Sequence, residues 1–121
     1  MNKLKWVPLH KELNLNVPAM LSDKCISMLI SSSNVNESEN AARLVQSYAK
    51  RYIAPDNNRE IKAGGDSIYI LKRIGIPAIL VECGFLSNPE ECTSLQTPEY
   101  RAGLGAVIFS SCAEYLVSRE K

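Results

Sequence analysis

Apolar and polar residues follow one another along the chain in blocks whose lengths predict strands and helices in turn. Residues 25–31 are a short apolar stretch that runs into a loop of serine and asparagine, which is typical of a strand and its exit turn. Residues 76–81 form a continuous apolar run with a proline only near its start. This second pattern predicts a strand that is covered on both faces in a parallel or mixed sheet.

A helix is predicted between these two strands. Asn36 can cap its start, with Glu39 three residues later, and the helix should end before Pro55. The apolar positions that repeat at helical spacing on one face are Ala41, Leu44, Val45, Tyr48 and Tyr52. Residues 55–65 are polar and rich in turn formers, so they are predicted to be a loop.

Three further helices are predicted from their start and stop signals. Asp66 or Ser67 can cap a short amphipathic helix that Gly75 would stop. Residues 88–91 (NPEE) open a second helix, and residues 97–99 (TPE) open the last one. The apolar positions expected on the last helix are Leu104, Val107, Ile108, Cys112 and Tyr115. Helices alternating with strands imply a three-layer α/β fold, with a mostly parallel or mixed sheet and flanking helices.

Composition and charge narrow the range of functions. The 121 residues, 45% of them hydrophobic, suit one globular domain. With 14 basic and 13 acidic residues the net charge is +1, which gives no electrostatic reason to propose nucleic acid or an anionic membrane as partner. No stretch approaches the ~20 apolar residues that span a bilayer. Charged and polar side chains also interrupt residues 1–24 too often for a signal peptide to be visible.

The four cysteines lie far apart at positions 25, 83, 92 and 112, and none forms a C-x-x-C pair. This spacing excludes a zinc-ribbon or thioredoxin-like motif, so most of the cysteines are expected to be buried small apolar residues. Cys83 suggests a nucleophile because it directly follows Glu82. The one histidine, His10, lies at the far end of the sequence, however, and no feature is visible that would lower the pKa of a catalytic thiol.

Glu82 is the most informative residue for chemistry. It ends the apolar run of residues 76–81, at the point where a strand of an α/β sheet delivers side chains to a ligand crevice. A carboxylate in that position suits general acid–base catalysis. The alternative is a structural carboxylate bound to backbone amides or to an arginine, and position alone favours neither interpretation.

The segment IPAILVECGFLSNPEE at residues 76–91 closely resembles the signature of the zinc-dependent N-acetylmuramoyl-L-alanine amidases, particularly those of spore-forming bacteria. The similarity continues through residues 58–62, 67–71 and 97–100, so it covers most of residues 31–116. It implies the C-terminal part of a germination-type amidase of the type 3 family. Such a protein would be a hydrolase that acts on peptidoglycan at the cell wall, outside the cytoplasmic membrane.

The resemblance also implies roles for particular residues. In the family, a zinc ion held by two histidines and a glutamate activates water, and a second glutamate in the V-E-x-G-F-(L/I)-S-N motif assists as general base. That base would be Glu82, and the bond cut would be the amide between the lactyl group of N-acetylmuramic acid and L-alanine. Arg59 and Lys62 would face the glycan–peptide groove and bind stem-peptide carboxylates. Arg59 has an alternative role, which is to tie its loop to a helix C-terminus.

The sequence departs from the family pattern at the metal site. The first two zinc ligands of the family precede anything recognisable here, and Asn14 stands at the position of the third, a histidine. A neutral amide oxygen is a poor substitute for imidazole on zinc. His10 and Asn14 would share a face only if residues 10–14 were helical, and Pro8 does not support a helix there.

These features predict a single, N-terminally truncated amidase domain over residues 1–121, with residues 1–13 as a leader that does not match the family. Zinc is not expected to be retained, and hydrolysis by this chain alone is expected to be absent or weak. One alternative is a non-catalytic remnant that binds peptidoglycan or serves as a partner subunit. Another is a gene fragment that folds poorly because a sheet edge and an apolar face are left uncovered. The sequence does not identify an activating partner.

Overall fold

The computed structural model describes residues 26–120. Within this range the elements are β1 (Ser27–Ile30), α1 (Val35–Tyr52), β2 (Lys62–Ala63), α2 (Tyr69–Arg73), β3 (Ile79–Glu82), α3 (Pro89–Gln96) and α4 (Pro98–Arg119). The sequence predictions for the leader, for His10, for Asn14 and for Cys25 lie outside the described residues. No helix in the described range is long and apolar enough to cross a membrane.

The three strands form one mixed sheet in the order β2-β1-β3. β2 runs parallel to β1, and β3 runs antiparallel to it with Glu82 opposite Ser27. The predicted α/β fold with a mixed sheet and flanking helices is therefore confirmed. The prediction of a loop over residues 55–65 is wrong at Lys62 and Ala63, which pair with β1, because a strand of two residues has no periodicity to detect.

The core lies between one face of the sheet and the helices α1 and α4. Met28 and Ile30 of β1 are buried, and Ile79 and Val81 of β3 pack beside them. The helix positions that complete this cluster are Ala42, Val45, Ala49, Tyr100, Leu104 and Val107. Successive strand residues point to opposite faces, so Glu82 lies on the sheet face away from this core.

The start of α1 differs from the prediction that Asn36 caps it. The N-cap residue is Asn34, which has left-handed backbone angles of φ 53° and ψ 45° and makes no side-chain cap. Its side-chain Nδ2 donates instead to the Gly75 carbonyl at 3.0 Å, a contact across 41 residues that local sequence does not show. The buried positions of α1 are Ser38, Ala42, Val45 and Ala49, so of the predicted face only Val45 is fully buried. Small residues on this face allow α4 and the sheet to approach closely.

The prediction that Asp66 or Ser67 caps α2 is also wrong. Ile68 occupies the N-cap position and makes no side-chain cap hydrogen bond, while Ser67 Oγ donates to the Gly64 carbonyl at 3.3 Å. The prediction that β3 is covered on both faces fails as well. Its apolar residues are half-buried and Glu82 is exposed, because α1 and α4 pack against the same face of the sheet.

The predicted start of α3 is confirmed. Asn88 Oδ1 accepts hydrogen bonds from the backbone N–H groups of Glu90 and Glu91 at 3.0 and 3.2 Å, and Pro89 occupies the first turn. These contacts satisfy two of the donors that a helix start leaves without intrahelical partners. The direction in which the chain leaves the loop after β3 is therefore fixed at Asn88.

The predicted start of α4 is confirmed too, because Thr97 Oγ1 accepts from the N–H of Tyr100 at 3.3 Å. Of the apolar positions predicted on this helix, Leu104 and Val107 are buried, Ile108 and Tyr115 are half-buried, and Cys112 is exposed. The other buried positions are Tyr100, Gly103, Ala106, Ser110 and Ser111. The apolar pattern missed this face because most of these residues are small or polar.

Candidate active site

Glu82 lies at the rim of a surface cavity of about 410 Å³. The residues that line the cavity are Ser27, Glu82, Gly84, Phe85 and Leu86. Because β3 is antiparallel to β1, Glu82 lies beside the amino end of β1 rather than at a carboxyl edge that the two strands share. The site is therefore a cavity between a strand end and the loop that follows it, and not the crevice expected of a parallel sheet.

The loop after β3, residues 83–88, is held by side chains of α3 and α4. Tyr100 donates its hydroxyl hydrogen to the Cys83 carbonyl at 3.3 Å, and the Glu91 carboxylate accepts from the Phe85 N–H at 3.1 Å. Within the loop, the Asn88 N–H donates to the Phe85 carbonyl at 3.0 Å. Both backbone polar groups of Phe85 are thus bonded, and the path of the chain beyond Glu82 is fixed.

Gly84 is required by this path. Its φ is +153°, a value that residues with a side chain rarely adopt, and a Cβ there would meet Leu95 Cδ1 at 3.4 Å. The same Cβ would lie 3.7 Å from Glu91 Cβ. A residue with a Cβ would therefore be strained in its backbone, although the Cβ itself would make only ordinary contacts with α3.

Sequence reasoning missed Glu91 and Tyr100 as residues of the site. Glu91 is 2% exposed and Tyr100 is 1% exposed, although both lie in the first turn of a helix, where their types suggest ordinary surface or capping roles. Burial raises the pKa of Tyr100 well above its usual value, with Cys83 and Glu91 adding to the effect. Tyr100 therefore stays a neutral donor to the loop at any physiological pH.

Arg59 reaches the site through Phe85. Its guanidinium carbon lies 4.9 Å from the centroid of the Phe85 ring, a cation–π contact. Its backbone carbonyl accepts from Gln46 Nε2 at 2.6 Å, which holds the loop against α1. The Arg59 Nε is buried and has no hydrogen-bond partner among the described residues. Arg59 is not one of the residues that line the cavity.

Asn57 explains why the Arg59 loop lies at this end of the sheet. Its side chain is buried and bonds both backbone groups of Ile26, accepting from the N–H at 3.2 Å and donating to the carbonyl at 2.9 Å. Ile26 precedes Ser27, which lies opposite Glu82. The sequence does indicate that Asn57 can form hydrogen bonds, because an asparagine in a polar loop commonly bonds to nearby backbone. It does not indicate that the partner lies 31 positions away.

Lys62 is not brought to the cavity. It is exposed on β2, where it pairs with Leu29, and β1 lies between it and β3. It therefore shares the sheet with Glu82 but lines a different part of the surface.

Cys83 belongs to the core side of β3 rather than to the cavity. It is half-buried, packs against the core, and its Sγ lies 3.9 Å from the Val81 carbonyl. Burial raises the pKa of the Cys83 thiol, which disfavours the thiolate that a nucleophile needs. The structure thus gives Cys83 the environment of a packing residue.

The described residues do not fit the zinc site that the family resemblance implies. Over residues 26–120, no group of three or more His, Cys, Asp or Glu side chains is placed to hold a metal ion. The sequence contains one histidine, His10, which with Asn14 lies outside this range. A hydrolytic zinc needs three protein ligands and an open position.

Known proteins resemble this chain in sequence and in structure. A family model described as N-acetylmuramoyl-L-alanine amidase matches residues 14–113. The chain is 29% identical over 83 residues to the germination-specific N-acetylmuramoyl-L-alanine amidase of Bacillus subtilis (strain 168), covering 69% of this chain and 34% of that protein. It is also similar to the CwlD amidase from Clostridioides difficile, solved in complex with the GerS lipoprotein, with a TM-score of 0.72 and 32% identity. That match covers 86% of this chain and 52% of the other, so the chain spans about a third and about half of these relatives.

Proposed function

The chain belongs to the N-acetylmuramoyl-L-alanine amidase family, and on that premise we propose that it acts on peptidoglycan with Glu82 as its catalytic carboxylate. The observation that carries the proposal is the exposed position of Glu82 in the cavity after β3, within the part of the chain that the family model matches. A carboxylate there can take a proton from an attacking water and return it to the leaving amine. The bond concerned is the amide between the lactyl group of N-acetylmuramic acid and L-alanine.

Hydrolysis by these 121 residues alone is not part of the proposal. The family is zinc-dependent, whereas residues 26–120 do not fit a zinc site and the whole sequence offers a single imidazole. Asn14, at the family's histidine position, would contribute only a neutral amide oxygen. We therefore expect Glu82 to act as the catalytic carboxylate only where the zinc ligands that residues 26–120 do not provide are supplied.

Binding of peptidoglycan without cleavage is the second candidate function. The held loop and the open cavity favour it, because both features of a binding site are in place without the ligand set that a hydrolytic zinc needs. The two candidates share one ligand and differ only in whether the amide is broken.

The setting of this activity is proposed from the relatives. The Bacillus subtilis protein is named as germination-specific, and the Clostridioides difficile amidase was solved with a lipoprotein. We propose that this chain likewise acts outside the cytoplasmic membrane, on the cell wall of germinating spores, and that a protein partner assists it.

The proposal is tested by measuring zinc content and peptidoglycan chemistry on the same protein. The purified chain, Glu82→Gln and the remote control Glu120→Gln would be assayed for bound zinc by elemental analysis, for co-sedimentation with peptidoglycan and for release of stem peptide. We expect co-sedimentation of all three proteins, little zinc, and no release above background.

Two outcomes would change the conclusion. Near-stoichiometric zinc, with release that Glu82→Gln abolishes and Glu120→Gln retains, would contradict the loss of the metal site and make His10 a ligand to test. Failure of the wild-type chain to sediment with peptidoglycan would contradict peptidoglycan as its ligand.

A further inference from the structure

The cavity beside Glu82 has an apolar side. Phe85 and Leu86 both line it, and these residues are 41% and 72% exposed. Neither belongs to the hydrophobic core, so the fold gains little from keeping them apolar. Adjacent exposed apolar side chains at a concave surface indicate a contact with a ligand.

Phe85 is held more firmly than an exposed loop residue needs to be. Its N–H donates to the buried Glu91 carboxylate, its carbonyl accepts from Asn88, and its ring lies against the Arg59 guanidinium. The buried Arg59 Nε has no hydrogen-bond partner among residues 26–120, so the ring is the contact that the structure shows for this guanidinium. A ring fixed in this way offers a preformed surface and loses little freedom when a ligand binds.

We propose that Phe85 and Leu86 form an apolar subsite for the methyl groups that flank the scissile amide, and that Arg59 and Glu91 position Phe85 for this contact. The proposal rests on the proposed function, since peptidoglycan must be the ligand. The scissile amide of peptidoglycan suits the subsite because a methyl group lies on each side of it, one on the lactyl unit and one on L-alanine. The cavity thus offers the Glu82 carboxylate for the polar amide bond, and the apolar surface of Phe85 and Leu86 for the methyl groups beside that bond.

This role for Arg59 differs from direct binding of a stem-peptide carboxylate. Arg59 does not line the cavity, and it touches a residue that does. It is therefore a positioning residue, whose replacement should change how well the site recognises a methyl group more than it changes attraction for charge.

The subsite is tested with two fragments that differ in one methyl group, N-acetylmuramoyl-L-alanyl-D-isoglutamine and its glycyl analogue. Titrations of the full chain followed by NMR would give both dissociation constants. Burial of one methyl group is worth about fourfold in affinity, so the alanyl fragment should bind about fourfold more tightly. Phe85→Ala should bring the ratio close to one, and Leu86→Ala should lower it.

The positioning role is tested with Arg59→Met, which keeps the length of the side chain and removes the guanidinium. The matched control is Arg73→Met, since Arg73 lies over the Tyr69 ring at 5.5 Å on α2, away from the cavity. Arg59→Met should lower the alanyl-to-glycyl ratio and shift the ring resonances of Phe85 in the free protein. Arg73→Met should do neither, and Arg59→Lys should restore part of the ratio.

The outcomes separate this proposal from the one it rests on. Equal binding of the two fragments, or no binding of either while peptidoglycan still sediments the chain, would contradict the methyl subsite and leave the proposed function standing. An unchanged ratio and unchanged Phe85 resonances in Arg59→Met would contradict the positioning role. Absence of peptidoglycan binding by the wild-type chain would contradict the proposed function. The Phe85 resonances of the free protein would then still show whether Arg59 contacts the ring.

Discussion

At the scale of single residues, β3 and the loop after it assign neighbouring side chains to different environments. Val81 and Cys83 pack against the core, while Glu82 between them points to the cavity. This follows from the alternation of side chains along a strand. A substitution at Val81 or Cys83 therefore changes the packing of the core, whereas a substitution at Glu82 changes the carboxylate in the cavity.

Gly84 gives a prediction at this scale. Gly84→Ala should lower the free energy of unfolding by about 1–3 kcal/mol, because alanine must adopt a φ of +153° there. Urea denaturation measures the change. Gly105→Ala is the control, because a Cβ at that exposed position of α4 meets nothing within 4 Å. It should stabilise the protein by about 0.5–1 kcal/mol, and an equal loss in both variants would contradict the strain at Gly84.

Sequence could identify Glu82 but not the residues that support its loop. Glu82 is a charged residue at the end of an apolar run, so the sequence alone shows that it differs from its neighbours. Glu91, Tyr100 and Asn57 are buried, unlike Glu82, but each has a residue type that is common at helix starts or in loops. Their burial depends on partners between 6 and 31 positions away. Periodicity carries no information about such partners.

At the scale of elements, hydrogen bonds between side chains join α1 to α4 at the protein surface. Tyr48 donates its hydroxyl hydrogen to Glu114 at 2.6 Å, and Tyr115 donates to Glu37 at 2.7 Å. Burial and the bond to Glu114 raise the pKa of Tyr48 from 10.0 to about 12. The bond to Glu37 likewise raises the pKa of Tyr115. Each phenol must keep its proton for its bond to persist.

The coupling between α1 and α4 should therefore depend on pH. A group whose pKa is raised by folding contributes stability below its unfolded pKa of 10.0, and this contribution is lost as the pH rises towards about 12. A double-mutant cycle of Tyr48→Phe and Glu114→Gln should give a favourable coupling of about 0.5 kcal/mol at pH 8, the low end for a hydrogen bond that solvent reaches. Denaturation at pH 11.5 should show that coupling reduced, and a coupling equal at both pH values would contradict the assigned pKa.

The helix starts show why some elements were predicted and others were not. Asn88 and Thr97 cap α3 and α4 with donors two or three residues away, so the signal is local and the prediction is correct. The starts of α1 and α2 carry no such cap. The pairing of β2 with β1 likewise joins residues more than 30 positions apart.

At the scale of the whole molecule, two buried serines join three elements. Ser31 and Ser38 share a hydrogen bond of 2.8 Å between their hydroxyl oxygens, and Ser38 Oγ also accepts from the N–H of Ala78 at 3.0 Å. Ser31 donates its own N–H to the Ala78 carbonyl at 3.1 Å. The end of β1, the first turns of α1 and the approach to β3 therefore meet at one polar contact within the core.

Ser38→Ala should destabilise the fold by about 1–3 kcal/mol, because it leaves the Ala78 N–H without its acceptor, while the Ser31 hydroxyl keeps its bond to the Ser33 carbonyl at 2.7 Å. Ser47→Ala on the exposed side of the same helix is the control and should change stability by less than about 0.5 kcal/mol. Thermal or urea unfolding of both variants measures the difference. Equal stability of the two variants would show that the serine contact contributes little.

The class of the fold was predictable at this scale, but the direction of β3 was not. Alternating strands and helices indicate an α/β sheet, and the family signature in residues 76–91 supports the same conclusion. The apolar run of a strand has the same pattern whether the strand is parallel or antiparallel to its neighbour. The antiparallel pairing of Glu82 with Ser27 therefore had no signal in the sequence.

The serine contact also bears on how this fold can change over time. Replacing Ser31 alone leaves Ser38 Oγ bonded to the Ala78 N–H, whereas replacing Ser38, alone or together with Ser31, leaves that N–H without its acceptor. The two positions are thus unequal in their tolerance of change. Position 38 is expected to keep a hydroxyl side chain among descendants of this chain, while position 31 is expected to vary more.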